Sequence, residues 1–239
     1  MHRKHIFLES LSVIAGLWLG LSTSLCYAAS FTISVDTTSL VGNLAGPFAL
    51  NFQLIDGGGT ANNTAILSGF DFGGGGSTAA DCTSATCTNG ANVTSPPLIV
   101  TLTDDPFFGG SFLNQVILPF TPGSSGPLSF LLDLTTNVES GGGGSPDAFS
   151  LGILDSSGFG IPTSFFDVFV QIDITSPLII NTYASDPNTP PLGCPTCEPI
   201  NIGTPVVQPA VSPVPEPGTL MLLATGLGGL AAVRRRAKR

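Results

Sequence analysis

Between Ser30 and Pro213 the side chains best able to do chemistry are 14 carboxylates and four cysteines. No Lys, Arg or His occurs from Ile6 to Val233. A Ser-His-Asp or Cys-His nucleophile, a lysine Schiff base, an arginine clamp on phosphate and a histidine metal site each need a residue that this stretch lacks. Two kinds of carboxylate chemistry remain. A pair of acids could flank a glycosidic bond, or several oxygens could converge on calcium. Asp104-Asp105 in TDDPFFGG are adjacent in the chain, but adjacent residues do not by themselves face one another. No spacing marks an acid pair, so the expectation is a protein without catalytic activity. Asp71, Asp81, Asp104, Asp105, Asp155 and Asp186 are the loop or strand-end candidates for calcium, and no other cofactor is expected.

Cys82, Cys87, Cys194 and Cys197 form an even set in a chain that reads as exported, which points to disulfides. Three pairings are open, and the simplest is local: Cys82 with Cys87 and Cys194 with Cys197. Cys194-Pro195-Thr196-Cys197 has the spacing of a redox motif. It lies in a proline-rich stretch, without a helix N-terminus to lower a thiol pKa. A four-thiolate zinc site would have to form in an oxidising compartment from two widely separated pairs.

The elements that must hold these residues are short. FTISVD (31–36), FALNFQLI (48–55), TAILSGFDF (64–72), LIVTLT (98–103), SFLNQVILPF (111–120), PLSFLLDLTT (127–136), AFSLGIL (148–154), FFDVFVQIDI (165–174) and LIINTY (178–183) alternate with Gly, Ser, Asn and Pro clusters. Phe48, Leu50, Phe52 and Leu54 recur with a period of two, as do Phe166, Val168, Val170, Ile172 and Ile174. Nine short strands without a long amphipathic helix predict an all-β fold, a single antiparallel β-sandwich or jelly-roll domain over residues 29–184. The 16 phenylalanines read mostly as core. The glycine runs Gly57–Gly59, Gly73–Gly76 and Gly141–Gly144 precede no Lys and open no helix, so they read as flexible connections rather than phosphate loops. Ten of 20 prolines fall between Asp186 and Pro217, which predicts an extended, semi-rigid stalk over residues 185–213.

The two ends carry all the basic residues. MHRKH, an apolar run from Leu11 to Leu21, and small residues up to Ala28 form the three regions of a secretory signal peptide, residues 1–28, cleaved after Ala28. Cys26 raises a lipoprotein alternative, which bulky Leu25 before it disfavours. Gly218 to Val233 is uncharged and would reach roughly 24 Å as a single transmembrane helix, short of a hydrocarbon core of about 30 Å. Arg234, Arg235, Arg236, Lys238 and Arg239 follow as a stop-transfer cluster that stays on the cytoplasmic side.

Val214, Pro215, Glu216 and Pro217, then this apolar segment, then the basic cluster resemble the PEP-CTERM sorting signal of Gram-negative bacteria, here residues 214–239. The resemblance implies recognition by exosortase, a membrane-embedded cysteine transpeptidase, a cut near Pro-Glu-Pro, and release or re-attachment at the cell surface. Export would use the Sec machinery and signal peptidase, with a transient inner-membrane anchor before the surface or extracellular location. TISVDTTSL, PFALNFQLIDG and FSLGILDSSG are similar to a group of PEP-CTERM proteins whose exported domains have no known activity.

With both ends removed, 14 acids stand against no cation, a charge near −14. Such a surface repels nucleic acid. The expected role is a structural or adhesive component of the surface or extracellular matrix, with surface polysaccharide as a possible partner. The alternative is a carbohydrate-binding module, calcium-assisted or not. It is disfavoured because sugar sites want exposed aromatics and Tyr183 is the only tyrosine in the body.

Overall fold

The computed structural model describes residues 28–57, 63–78, 82, 86–88, 90–104, 112–138 and 145–210. The signal-peptide residues before Ala28, the stop-transfer cluster and the sorting motif Val214–Pro217 lie outside the described residues, as does the apolar segment between them. No helix among the described residues is long and apolar enough to cross a membrane.

Twelve strands form: β1 (Ala28–Val35), β2 (Phe48–Ile55), β3 (Thr64–Asp71), β4 (Gly76–Ser77), β5 (Ala91–Thr94), β6 (Ile99–Thr103), β7 (Leu113–Thr121), β8 (Leu128–Thr135), β9 (Ala148–Leu154), β10 (Val168–Asp173), β11 (Ile179–Thr182) and β12 (Val206–Pro209). They make two six-stranded antiparallel sheets, ordered β12-β1-β8-β3-β6-β5 and β11-β10-β9-β2-β7-β4. β1 pairs with β8, β2 with β7 and β3 with β6.

Alternation decides which faces meet. Leu128, Phe130, Leu132 and Leu134 of β8 are buried, while the residues between them are half-exposed. Phe48, Leu50, Phe52 and Leu54 of β2 are buried as their period requires. The two faces join in a phenylalanine cluster. Phe52 of one sheet meets Phe130 of the other edge-on at 5.4 Å between ring centres, and Phe70 at 6.0 Å. Each such ring pair adds about 0.5–1.5 kcal/mol beyond area burial. Phe70 reaches this cluster because β3 is irregular between Ser68 and Asp71, where Gly69 takes a left-handed φ of +62°.

Three expectations are corrected. The proline-rich segment 185–210 is not a stalk. Ile200 and Ile202 are buried in the core, Ser185 Oγ donates to the Ile200 carbonyl at 2.7 Å, and β12 pairs along β1 from Phe31–Pro209 to Ser34–Val206. The prolines do not prevent this, because β12 is an edge strand and Pro209 ends it. Second, the glycine run Gly73–Gly76, expected as a flexible connection, is held in place, and the described residues after it pair with the sheets. β4 pairs with β7, the segment 86–88 bonds to β7 through Ile117 N to Thr86 O at 2.8 Å, and β5 pairs with β6. Gly73 and Gly75 are close-packed, since a Cβ on either would meet the Gly126 or Thr121 carbonyl oxygen at 2.0 or 1.9 Å. Third, the two-residue period expected across 166–174 breaks. A bulge between Val168 and Val170 lets Phe169 and Val170 both be buried, and Phe166 stands 80% exposed in the turn before β10.

Candidate functional site

One group of three carboxylates converges among the described residues: Asp56, Asp104 and Asp147, with one ligand oxygen from each all within 4.8 Å of one another. Each lies one step past a strand end. Asp56 follows β2 and Asp147 precedes β9, so they flank the paired residues Ile55 and Ala148. Asp104 follows β6, and its N–H donates to the Asn63 carbonyl at 2.9 Å, just beyond the Thr64–Thr103 pair. The cluster therefore joins the two sheets at one end of the sandwich. Asp104 and Asp147 are buried and Asp56 is half-buried.

Asn63 ties this end together. It is fully buried, and its Nδ2 donates to Asp147 Oδ2 at 2.6 Å and to the Asn137 carbonyl at 3.0 Å. Its Oδ1 accepts from Asn137 N at 2.9 Å and Thr135 Oγ1 at 3.2 Å. All four hydrogen-bonding positions of the amide are thus in use. Asp147 Oδ1 also accepts from Gly57 N at 2.8 Å.

Burying neighbouring carboxylates is costly, and hydrogen-bond donors such as Asn63 Nδ2 and Gly57 N offset it less fully than opposite charge would. No Lys, Arg or His of residues 6–233 is available to do so. Oxygens on opposite sides of a calcium ion at 2.3–2.6 Å would lie about 4.6–5.2 Å apart, so the spacing suits a hard divalent cation. The same cluster makes a poor glycosidase pair. Two of its acids, Asp104 and Asp147, are buried, which leaves little room for a sugar linkage between them.

The other sequence candidates do structural work. Asp155 is buried, and its Oδ1 accepts from Ser157 N at 2.8 Å and Phe159 N at 3.1 Å while Oδ2 accepts from Gly193 N at 2.9 Å. Asp71 closes a turn by accepting from Gly73 N at 2.9 Å. Asp186 does the same for Thr189 Oγ1 and Asn188 N, and those two bonds hold its carboxyl below the usual aspartate range. Asp81 and Asp105 lie outside the described residues. Of the four candidates among the described residues, Asp104 alone joins the cluster. Asp56 and Asp147 were missed, although both sit beside glycine runs, in LIDGGG and GGGGSPD, where a strand ends.

The cysteines pair locally, Cys82 with Cys87 and Cys194 with Cys197, with Cα separations of 5.4 and 5.3 Å. Ala28, the expected cleavage position, is the first residue of β1 and stands opposite Thr135.

The structure also presents an aromatic group that the sequence did not announce. Phe165 stacks on Tyr183 with ring centres 5.0 Å apart and planes 19° from parallel, and Phe166 meets Phe165 edge-on at 5.1 Å. Phe165 is 40% exposed.

No curated protein and no solved structure matches the chain. The family profile of the PEP-CTERM protein-sorting motif matches residues 213–236, which takes in Val214 to Pro217, the apolar segment and Arg234 to Arg236. The C-terminal tail is therefore a PEP-CTERM protein-sorting motif, and the chain is an exported protein directed to exosortase at the membrane.

Proposed function

We propose that this chain is a structural and adhesive protein of the cell surface or extracellular matrix, and that its two-sheet domain is displayed there without catalysing a reaction. One observation carries the reading: buried Asp155, Asn63 and Asp147 are spent on holding loops and sheets together. Asp155 organises the 155–159 loop and Gly193, and Asn63 with Asp147 joins the sheets. The sorting motif accounts for delivery, and the acidic, cation-free body suits a solvated exterior. The test has two parts. The intact mass of the protein recovered from host envelope and from medium should show loss of residues 1–28 and a C-terminus at or near Pro215–Pro217. Deleting the chain should weaken cell–cell or cell–matrix cohesion, and unchanged cohesion would refute the adhesive role. A mass that still includes Arg239 would overturn the cut.

The carboxylate cluster favours a calcium-supported version of this role. Saturating calcium at about 100 times its dissociation constant would add about 2.7 kcal/mol of stability, or roughly 5–11 °C in melting temperature. The shift should shrink in Asp56→Asn, which leaves the two buried acids in place. An identical melt in calcium and in chelator would remove calcium from the account.

A further inference from the structure

We propose that Phe166, with Phe165 and Tyr183, forms a binding platform for a neutral polysaccharide. The proposal rests on the adhesive reading and names the surface that would do the adhering.

The platform starts from a backbone anomaly. Phe166 has φ +57°, and it is the only non-glycine residue with positive φ among the described residues. A bulky residue there is strained, and such strain persists only where the surroundings over-determine it. They do so here. Thr163 N donates to the Phe166 carbonyl at 2.8 Å, Phe165 N to Thr163 Oγ1 at 3.0 Å, and Thr163 Oγ1 to the Val168 carbonyl at 3.0 Å. The left-handed residue turns the chain so that the Phe166 side chain projects outward, 80% exposed, instead of joining the buried face of β10.

The base beneath it is fixed. Thr163 bridges to Ser185, and Ser185 N and Oγ bond to the Ile202 and Ile200 carbonyls at 3.0 and 2.7 Å. Tyr183 N donates to the Phe169 carbonyl at 2.9 Å, which places its ring beneath Phe165. Aromatic rings on a locked backbone offer large contact area at little entropic cost. Core packing does not explain Phe166's position, because apart from its edge-on contact with Phe165 the side chain is 80% exposed.

Charge chooses the occupant. Residues 6–233 carry acids and no Lys, Arg or His, so their surface repels a second copy, an anionic lipid surface and an acidic polymer. A neutral sugar is not. Its C–H faces carry the partial positive charge that the negative face of an aromatic ring attracts. Ser164 and Asp167, the chain neighbours of the two phenylalanines, are exposed and carry groups able to bond sugar hydroxyls.

The experiment uses the exported chain purified from its host and a panel of immobilised neutral polysaccharides: cellulose, amylose, mannan and galactan. Wild type should be retained on at least one, and Phe166→Gly should lower retention at least about tenfold, a loss of roughly 1.4 kcal/mol. Glycine adopts φ +57° freely, so the same variant should melt at or above the wild-type temperature. A binding defect without a folding defect separates this role from a structural one. Retention on none of the four, or retention that Phe166→Gly leaves unchanged, would overturn the platform. So would concentration-dependent association of wild type that Phe166→Gly abolishes, which would mean that the rings meet a second copy. If host cohesion still depends on the chain while Phe166→Gly supports it fully, the adhesive role stands and the platform alone fails.

Discussion

Replacing Asn63 with alanine is the sharpest perturbation of the junction between the sheets. The amide makes four hydrogen bonds from a fully buried position, three to neutral partners and one to the Asp147 carboxylate. A neutral bond contributes about 1 kcal/mol net and a charged one about 1.5–3. The gross loss is therefore about 4.5–6 kcal/mol, and water entering the space returns part of it. A net cost of about 3–5 kcal/mol is expected. For a domain of this size each kcal/mol moves the melting temperature by about 2–4 °C, so the drop should fall between roughly 6 and 20 °C. The assay is thermal unfolding followed by circular dichroism, with Asn92→Ala on the exposed side of β5 as the control, expected within about 0.5 kcal/mol of wild type. Asn63→Asp sharpens the test. It removes the Nδ2 donor and puts a second carboxyl group against Asp147 Oδ2. The new acid would bind its proton more tightly in the folded chain than in the unfolded one, so this variant should gain stability relative to wild type as the pH falls. If Asn63→Ala melts within about 2 °C of wild type, less than 1 kcal/mol is at stake and the joining role of Asn63 is wrong.

Three further predictions follow from the same structure. A chain ending at Ala184 loses β12 and uncovers the core beneath Ile200 and Ile202, so it should aggregate or melt well below a chain ending at Ala210; equal stability would restore the stalk. Thr37 Oγ1 is buried without a hydrogen-bond partner, so Thr37→Val should be neutral or raise stability by about 1 kcal/mol, measured by urea unfolding, and a clear loss would reveal a hidden partner. Asp186 should titrate below the ordinary aspartate range in carbon-detected NMR, because Thr189 and Asn188 donate to its charged form. With a lowered folded pKa, whatever it contributes to stability is present above the ordinary aspartate value and lost as the pH falls through the folded one.

How much of this could be read before the fold was known depended on the range of the physics involved. The alternation in FALNFQLI and the apolar run AFSLGIL named β2 and β9 with their observed bounds, because burial on a sheet face imposes a period of two on the residues themselves. The absence of cations from residues 6–233, the local cysteine pairs and the tripartite tail are also properties of nearest neighbours or of composition.

Long-range pairing was hidden. Nothing in the proline-rich segment 185–210 announces that β12 will lie on β1, since an edge strand of four residues has no pattern of its own and is chosen by the partner it finds. Phe166 reads as one more residue in an alternating run. Only the bulge at Val168 and the left-handed turn, imposed by Thr163 and its bonds, expose it. The convergence of Asp56, Asp104 and Asp147 likewise needs strands from both sheets to end at the same level. The sequence by itself determined that the chain is directed to exosortase, which side chains its body lacks and which faces of its strands are apolar. The tertiary structure decided which strand ends meet and which rings face water, because those depend on register and crossover between residues far apart in the chain, which no local pattern encodes.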